Sequence, residues 1–89
     1  MKYQFIKEIE LIIEAEGGVI FNELDERFYG LDFVGCLICE KIKENEDLDN
    51  IINFIADKYK IDRPIITNDI NEFIKSLVDN GLLIENHEN

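Results

Sequence analysis

The chain reads as an α+β fold, with a three-stranded antiparallel sheet near the N-terminus packed on three helices in a winged-helix-like arrangement. Three observations predict it. β-branched and aromatic residues alternate in the first third, apolar residues recur at helical spacing from Phe33 onward, and those later stretches are bounded by capping residues, one proline and Gly81. At 89 residues there is room for one core, so a single domain is expected over 1–89, its core over about 5–84.

Phe5, Ile9, Leu11 and Ile13 share one parity and Ile12 breaks it, which places a first strand near Glu8 to Ala15. Gly17 and Gly18 take positive φ at no steric cost and suit a hairpin turn. Val19, Ile20, Phe21 and Asn22 then supply a second strand. Asp25 and Glu26, after Leu24, favour a turn through side-chain to backbone bonds, and Arg27-Phe28-Tyr29-Gly30-Leu31 returns as a short third strand flanked by charge. Alternation sets Phe28 and Tyr29 on opposite faces, so one of them looks away from the main core or toward a groove beside it.

Asp32 is suited to cap a helix from about Phe33 to Glu44, because its carboxylate can accept from unpaired first-turn amides. Gly35, Ile38, Cys39 and Ile42 fall on one face of that helix. Phe33 and Leu37 fall on the other, and are expected to be covered by another element or else to form a docking patch. A second helix, from Asp47 or Leu48 to Tyr59, carries the stripe Leu48, Ile51, Ile52, Ile55 and Tyr59. Pro64 suits the first turn of a third helix that runs to about Asn80, with Gly81 as its C-terminal cap. The apolar face of this helix is Ile66, Ile70, Phe73, Ile74, Leu77 and Val78. Leu82, Leu83 and Ile84 are expected to fold back on the core as a short strand, and His87 with its neighbours to fray.

The net charge of -11, from 20 acidic and 9 basic residues, repels phosphate backbones and favours basic peptides or proteins. Nucleic acid is therefore disfavoured as a partner. No apolar run has signal or membrane length, which makes the cytoplasm the expected compartment and a membrane partner unexpected. Cys36 and Cys39 form a CxxC within one predicted helical turn, where disulfide geometry is poor, and no second CxxC or histidine pair completes a zinc site. Cys39 lies on the core stripe, where a thiol is simply a small apolar side chain. His87, the only histidine, has polar neighbours and nothing to orient it, and Gly-rich phosphate loops, nucleophile settings and metal motifs are all missing. No catalytic residue, cofactor or metal is expected, and the chain reads as a binding protein, not an enzyme.

Phe28-Tyr29-Gly30-Leu31-Asp32, then Gly35, Ile38 and Ile42, then Tyr59-Lys60-Ile61-Asp62, and finally Asp69-Ile70, Phe73-Ile74, Leu77 and Gly81-Leu82-Leu83 form an ordered series. Together they resemble the family of pyrroloquinoline-quinone biosynthesis protein D, over roughly Gly18 to Ile84. Two positions depart from the pattern: Cys39 stands near a frequent aromatic, and Glu44-Asn45 stands where Asp-Gly is common. The resemblance implies a recognition domain for the leader segments of ribosomally made, post-translationally modified peptides. It implies that a precursor leader adds as a strand beside Arg27, Phe28, Tyr29, Gly30 and Leu31, against a helical wall drawn from Ile66, Asp69, Ile70, Phe73, Ile74 and Leu77. A separate maturation enzyme, whether protease, cyclase or radical enzyme, would then receive the peptide, in lasso-peptide or radical-enzyme maturation.

Energetics support that division of labour. About four backbone hydrogen bonds at roughly 0.5 to 1.5 kcal/mol each are cancelled by association costs of about 4 to 15 kcal/mol. Apolar anchors at about 1.5 to 3 kcal/mol each must supply the remainder. Asp69 and Glu72 at the rim would favour a leader carrying lysine or arginine. The alternative, a winged-helix DNA-binding regulator, needs a basic recognition helix, whereas Pro64 to Asn80 sets Asp69, Glu72 and Asp79 against Lys75.

Overall fold

Eight elements follow one another in a computed structural model that describes residues 1–87: β1 (Lys2–Phe5), β2 (Ile9–Glu14), β3 (Gly17–Asn22), β4 (Arg27–Leu31), α1 (Phe33–Lys43), α2 (Leu48–Tyr59), α3 (Arg63–Asp79) and β5 (Leu83–Asn86). The meander β2-β3-β4 is antiparallel, as expected, with Leu11, Ile20 and Tyr29 aligned across it. A second, two-stranded sheet joins β1 to β5, pairing Lys2 with Asn86 and Phe5 with Leu83. This sheet corrects the expectation of a single sheet, while the short strand expected after Gly81 is present and runs on through Glu85 and Asn86, neighbours of His87 that were expected to fray; Glu88 and Asn89 lie outside the described residues.

The hairpin turn between β2 and β3 is Ala15-Glu16, and the glycines that were expected to make it open the second strand instead. Close packing is the reason. A Cβ on Gly17, where φ is +151, would lie 2.5 Å from the Leu31 carbonyl oxygen, and one on Gly18 would lie 2.3 Å from that of Ile12 and 3.0 Å from Cys36 Sγ. Gly18 thus lets α1 settle onto β3. Gly18→Ala is expected to lower stability by more than about 1 kcal/mol, read from the midpoint of urea unfolding, because backbone must move to admit the methyl group.

Each helix is ended by local chemistry. Asp32 Oδ1 accepts from Gly35 N at 2.7 Å at the start of α1, and Asp47 Oδ1 accepts from Asp49 N at 2.9 Å at the start of α2. Pro64 sits in the first turn of α3. At the other end, Gly81 at φ +76 donates to Val78 O at 2.9 Å while Leu82 N reaches Leu77 O at 2.9 Å, the paired bonds that turn a chain out of a helix. The chain then enters β5 with Leu82 and Leu83 fully buried.

The core lies between the meander and the helices. Ile20, Cys39, Ile55, Ile70, Leu82 and Leu83 are each at most 1% exposed, and Ile38, Ile42, Ile51, Ile52, Ile66, Ile74 and Leu77 complete the layer. Leu37 packs partly against this cluster, but Phe33 stays 49% exposed, so the cover expected for the second side of α1 reaches only one of the two. No helix among the described residues is long and apolar enough to cross a membrane.

Candidate functional site

The outer edge of β4 has no partner strand among the described residues. Which of its groups point outward follows from one bond. Glu23 N donates to Glu8 O at 3.1 Å, which extends the β2–β3 register and makes residues 17, 19, 21 and 23 of the β3 segment the ones bonded to β2. The alternate residues Gly18, Ile20 and Asn22 therefore bond to Leu31, Tyr29 and Arg27 of β4. The N–H and C=O groups of Phe28 and Gly30 are left facing the open edge. Side chains alternate the other way: Tyr29 and Leu31 turn to the core, while Phe28, 65% exposed, stacks on Phe21 at 4.6 Å between ring centroids.

Beyond Leu31 a cleft of about 330 Å3 opens between α1 and α3. Its walls are Val34, Gly35 and Ile38 from α1, Ile66, Ile70 and Phe73 from α3, and Ile61 from the connecting loop, with Asp32 and Asp69 as its only charges among the described residues. Gly35 ties this cleft to the strand. A Cβ there would lie 3.5 Å from both Leu31 Cδ2 and Phe73 Cζ, so the last side chain of β4 and the aromatic wall of α3 converge on one small residue. A larger hollow, about 420 Å3, lies at the β2–β3 turn, but Glu14, Glu16 and two glycines make up much of its lining and it has no helical wall. The cleft is the better seat for apolar anchors.

The sequence pattern described as coenzyme PQQ synthesis protein D (PqqD) matches residues 17–83. The chain belongs to the PqqD family. No curated protein matches it. Two solved structures are similar to this PqqD-family chain. One, TbiB1 in complex with the TbiA(beta) leader peptide, has a TM-score of 0.87 at 22% identity over 96% of this chain and 99% of the other. The other, lasso peptide synthetase B1 complexed with the leader peptide, has a TM-score of 0.86 at 19% identity over 96% of this chain and 100% of its own. Identities this low establish a shared fold.

The residues singled out from sequence fall into three groups in this PqqD-family member. Ile66, Asp69, Ile70 and Phe73 line the cleft together, and Arg27 to Leu31 form the strand that leads into it. Ile74 and Leu77 do not join that wall: Leu77 is 5% exposed within the core, and Ile74, 3% exposed, borders a separate hollow with Tyr3 and Val78. The same apolar face of α3 looks into the cleft along its first half and toward Tyr3 of β1 and onto β5 along its second. Val34 and Ile61 were not anticipated. Val34 sits one helical turn before Ile38, a spacing that could have shown it, whereas Ile61 lies in a loop without periodicity.

The two thiols are free and buried. Burial, with some repulsion from Cys36, pushes the Cys39 thiol from 9.0 up to about 12, and burial, Glu40 and Asp32 raise Cys36. Both stay protonated near neutrality and are poor nucleophiles or metal ligands. The raised value also makes a stability statement. The native state holds the Cys39 proton more tightly than the unfolded chain, so this contribution is complete below about pH 9 and is lost as pH rises toward about 12. Urea midpoints measured from pH 8 upward should fall across that window, and Cys39→Ala should flatten the fall.

Proposed function

We propose that this chain binds the leader segment of a ribosomally synthesised precursor peptide and presents it to a separate maturation enzyme, in lasso-peptide or radical-enzyme maturation. The leader adds as a strand to the outer edge of β4, bonding to Phe28 and Gly30, and sends apolar side chains into the cleft between α1 and α3. One observation carries the reading: open main-chain groups on β4 lie beside an apolar cleft at Gly35 and Phe73. Both similar structures hold leader peptides, which supports it.

On this reading the chain is a non-catalytic cytoplasmic adaptor, and its helices form a winged-helix-like support for the sheet. Asp32 and Asp69 are the charges at the cleft, so it suits a leader with lysine or arginine beside its apolar anchors, and binding should weaken with added salt. The test is titration of synthetic leader peptides, chosen by searching the reading frames that neighbour this chain's gene for a short precursor, into isotope-labelled protein. The amides of Phe28 and Gly30 should become protected from exchange while those of Tyr29 and Leu31, already bonded to β3, change little. Protection confined to other elements would overturn the assignment.

A further inference from the structure

Gly30 is not explained by the chain's own packing. It pairs with Val19, its φ is not positive, and a Cβ built on it would meet nothing within 4 Å. Gly17 and Gly18 differ, since both are held to glycine by close carbonyl oxygens. Glycine weakens a strand, and one without a local reason marks a place where another backbone or side chain comes close.

The surroundings of Gly30 say what would come close. Alternation places Ile12, Val19, Phe21 and Phe28 on the sheet face turned away from the helices, the face on which a Gly30 side chain would stand. Phe28 is fixed there by its stacking on Phe21. Gly30 is therefore a notch at the open edge, with an aromatic wall two residues along the strand and Val19 across it.

Resting on the strand-addition reading above, we propose that Gly30 is a specificity notch: the added peptide carries a large aliphatic or aromatic side chain that covers Gly30 beside Phe28 and Val19. Side chains of an added strand alternate between the faces. Those entering the cleft and the one covering Gly30 therefore stand at adjacent positions. The recognised segment carries bulky apolar residues at consecutive positions rather than only at every second one, and an aromatic over an edge glycine restores the packing that the glycine forgoes. Phe28 and Gly30 thus select the peptide with side-chain space as well as with main-chain bonds.

The experiment uses a displayed library of random extended peptides selected against the full chain. Binders are synthesised, and their affinities are measured for the native protein, Gly30→Ala and Gly30→Val. The added side chain enters open space, so both variants should melt at or above the native temperature. Peptides that protect the Phe28 and Gly30 amides should lose about tenfold or more in affinity for Gly30→Val, the worth of one covered apolar side chain. Truncating the covering residue to alanine should weaken binding to the native chain and have little further effect on Gly30→Val, a coupling that general destabilisation would not produce. Gly30→Ala serves the same comparison if the larger variant melts early. Peptides that protect the two amides yet bind both variants as tightly as the native chain overturn the notch and leave strand addition standing. Failure to select peptides that protect those amides overturns both.

Discussion

Phe73→Asp is expected to weaken leader binding by at least about a hundredfold while the chain remains folded. Phe73 is half-buried and stands where α3 faces Gly35, so its ring is a wall of the cleft more than a member of the core. The helix is anchored independently by Ile66, Ile70, Ile74 and Leu77, all at most 6% exposed. Losing an apolar contact costs about 1.5 to 3 kcal/mol, and a carboxylate left without a partner against an apolar anchor adds roughly 1 to 3 kcal/mol. Each 1.4 kcal/mol is about tenfold in affinity, so the two effects together reach a hundredfold even at moderate values. Asp32 and Asp69 already line the cleft to meet a leader cation, and a third carboxylate in place of the Phe73 ring would face the leader's apolar anchor instead. Thermal melting of the variant separates lost binding from lost fold, with Phe73→Ala as the milder companion. A folded Phe73→Asp chain that binds the leader undiminished would remove the cleft from the site.

Strands β2 to β4 and all three helices were legible in the sequence because their causes are local. Phe21, Phe28 and Tyr29 favour pleated backbone, Asp32 and Asp47 cap helices within three residues, and Gly81 turns the chain within one. The β1–β5 sheet was not legible, because nothing in Lys2-Tyr3-Gln4-Phe5 names a partner that stands at the opposite end of the chain. The glycine pair misled for a related reason. Gly17 and Gly18 suit a turn by their freedom, yet they are required by the carbonyls of Leu31 and Ile12, which only the folded sheet brings near.

The candidate site was half legible. Periodicity placed Ile66, Ile70, Ile74 and Leu77 on one face of α3, but a single face can look onto two different neighbours along its length. Only the packed structure separates the first half, beside α1, from the second, beneath β1 and β5. The edge behaves likewise. Sequence named β4 as the open strand, while the phase of its hydrogen bonds depends on how β3 is already committed to β2.

That phase gives the most discriminating comparison, between prolines at adjacent positions. Tyr29 N–H points inward, paired with Ile20, so Tyr29→Pro removes a ladder bond and a half-buried ring and is expected to cost about 3 kcal/mol or more of stability. In a domain whose total is about 5 to 15 kcal/mol, that loss should appear first as early melting. Phe28 N–H points to the open edge, and proline there leaves the ladder intact, as edge strands allow. Phe28→Pro should melt within a few degrees of Phe28→Ala, which removes the same ring. It should bind the leader about tenfold more weakly than Phe28→Ala, since one donor is gone and a peptide carbonyl is left unpaired. Equal affinities for the two Phe28 variants would count against strand addition at this edge. A Tyr29→Pro chain as stable as the native one would show that the inward and outward positions have been exchanged, and would transfer the open donors to Arg27, Tyr29 and Leu31.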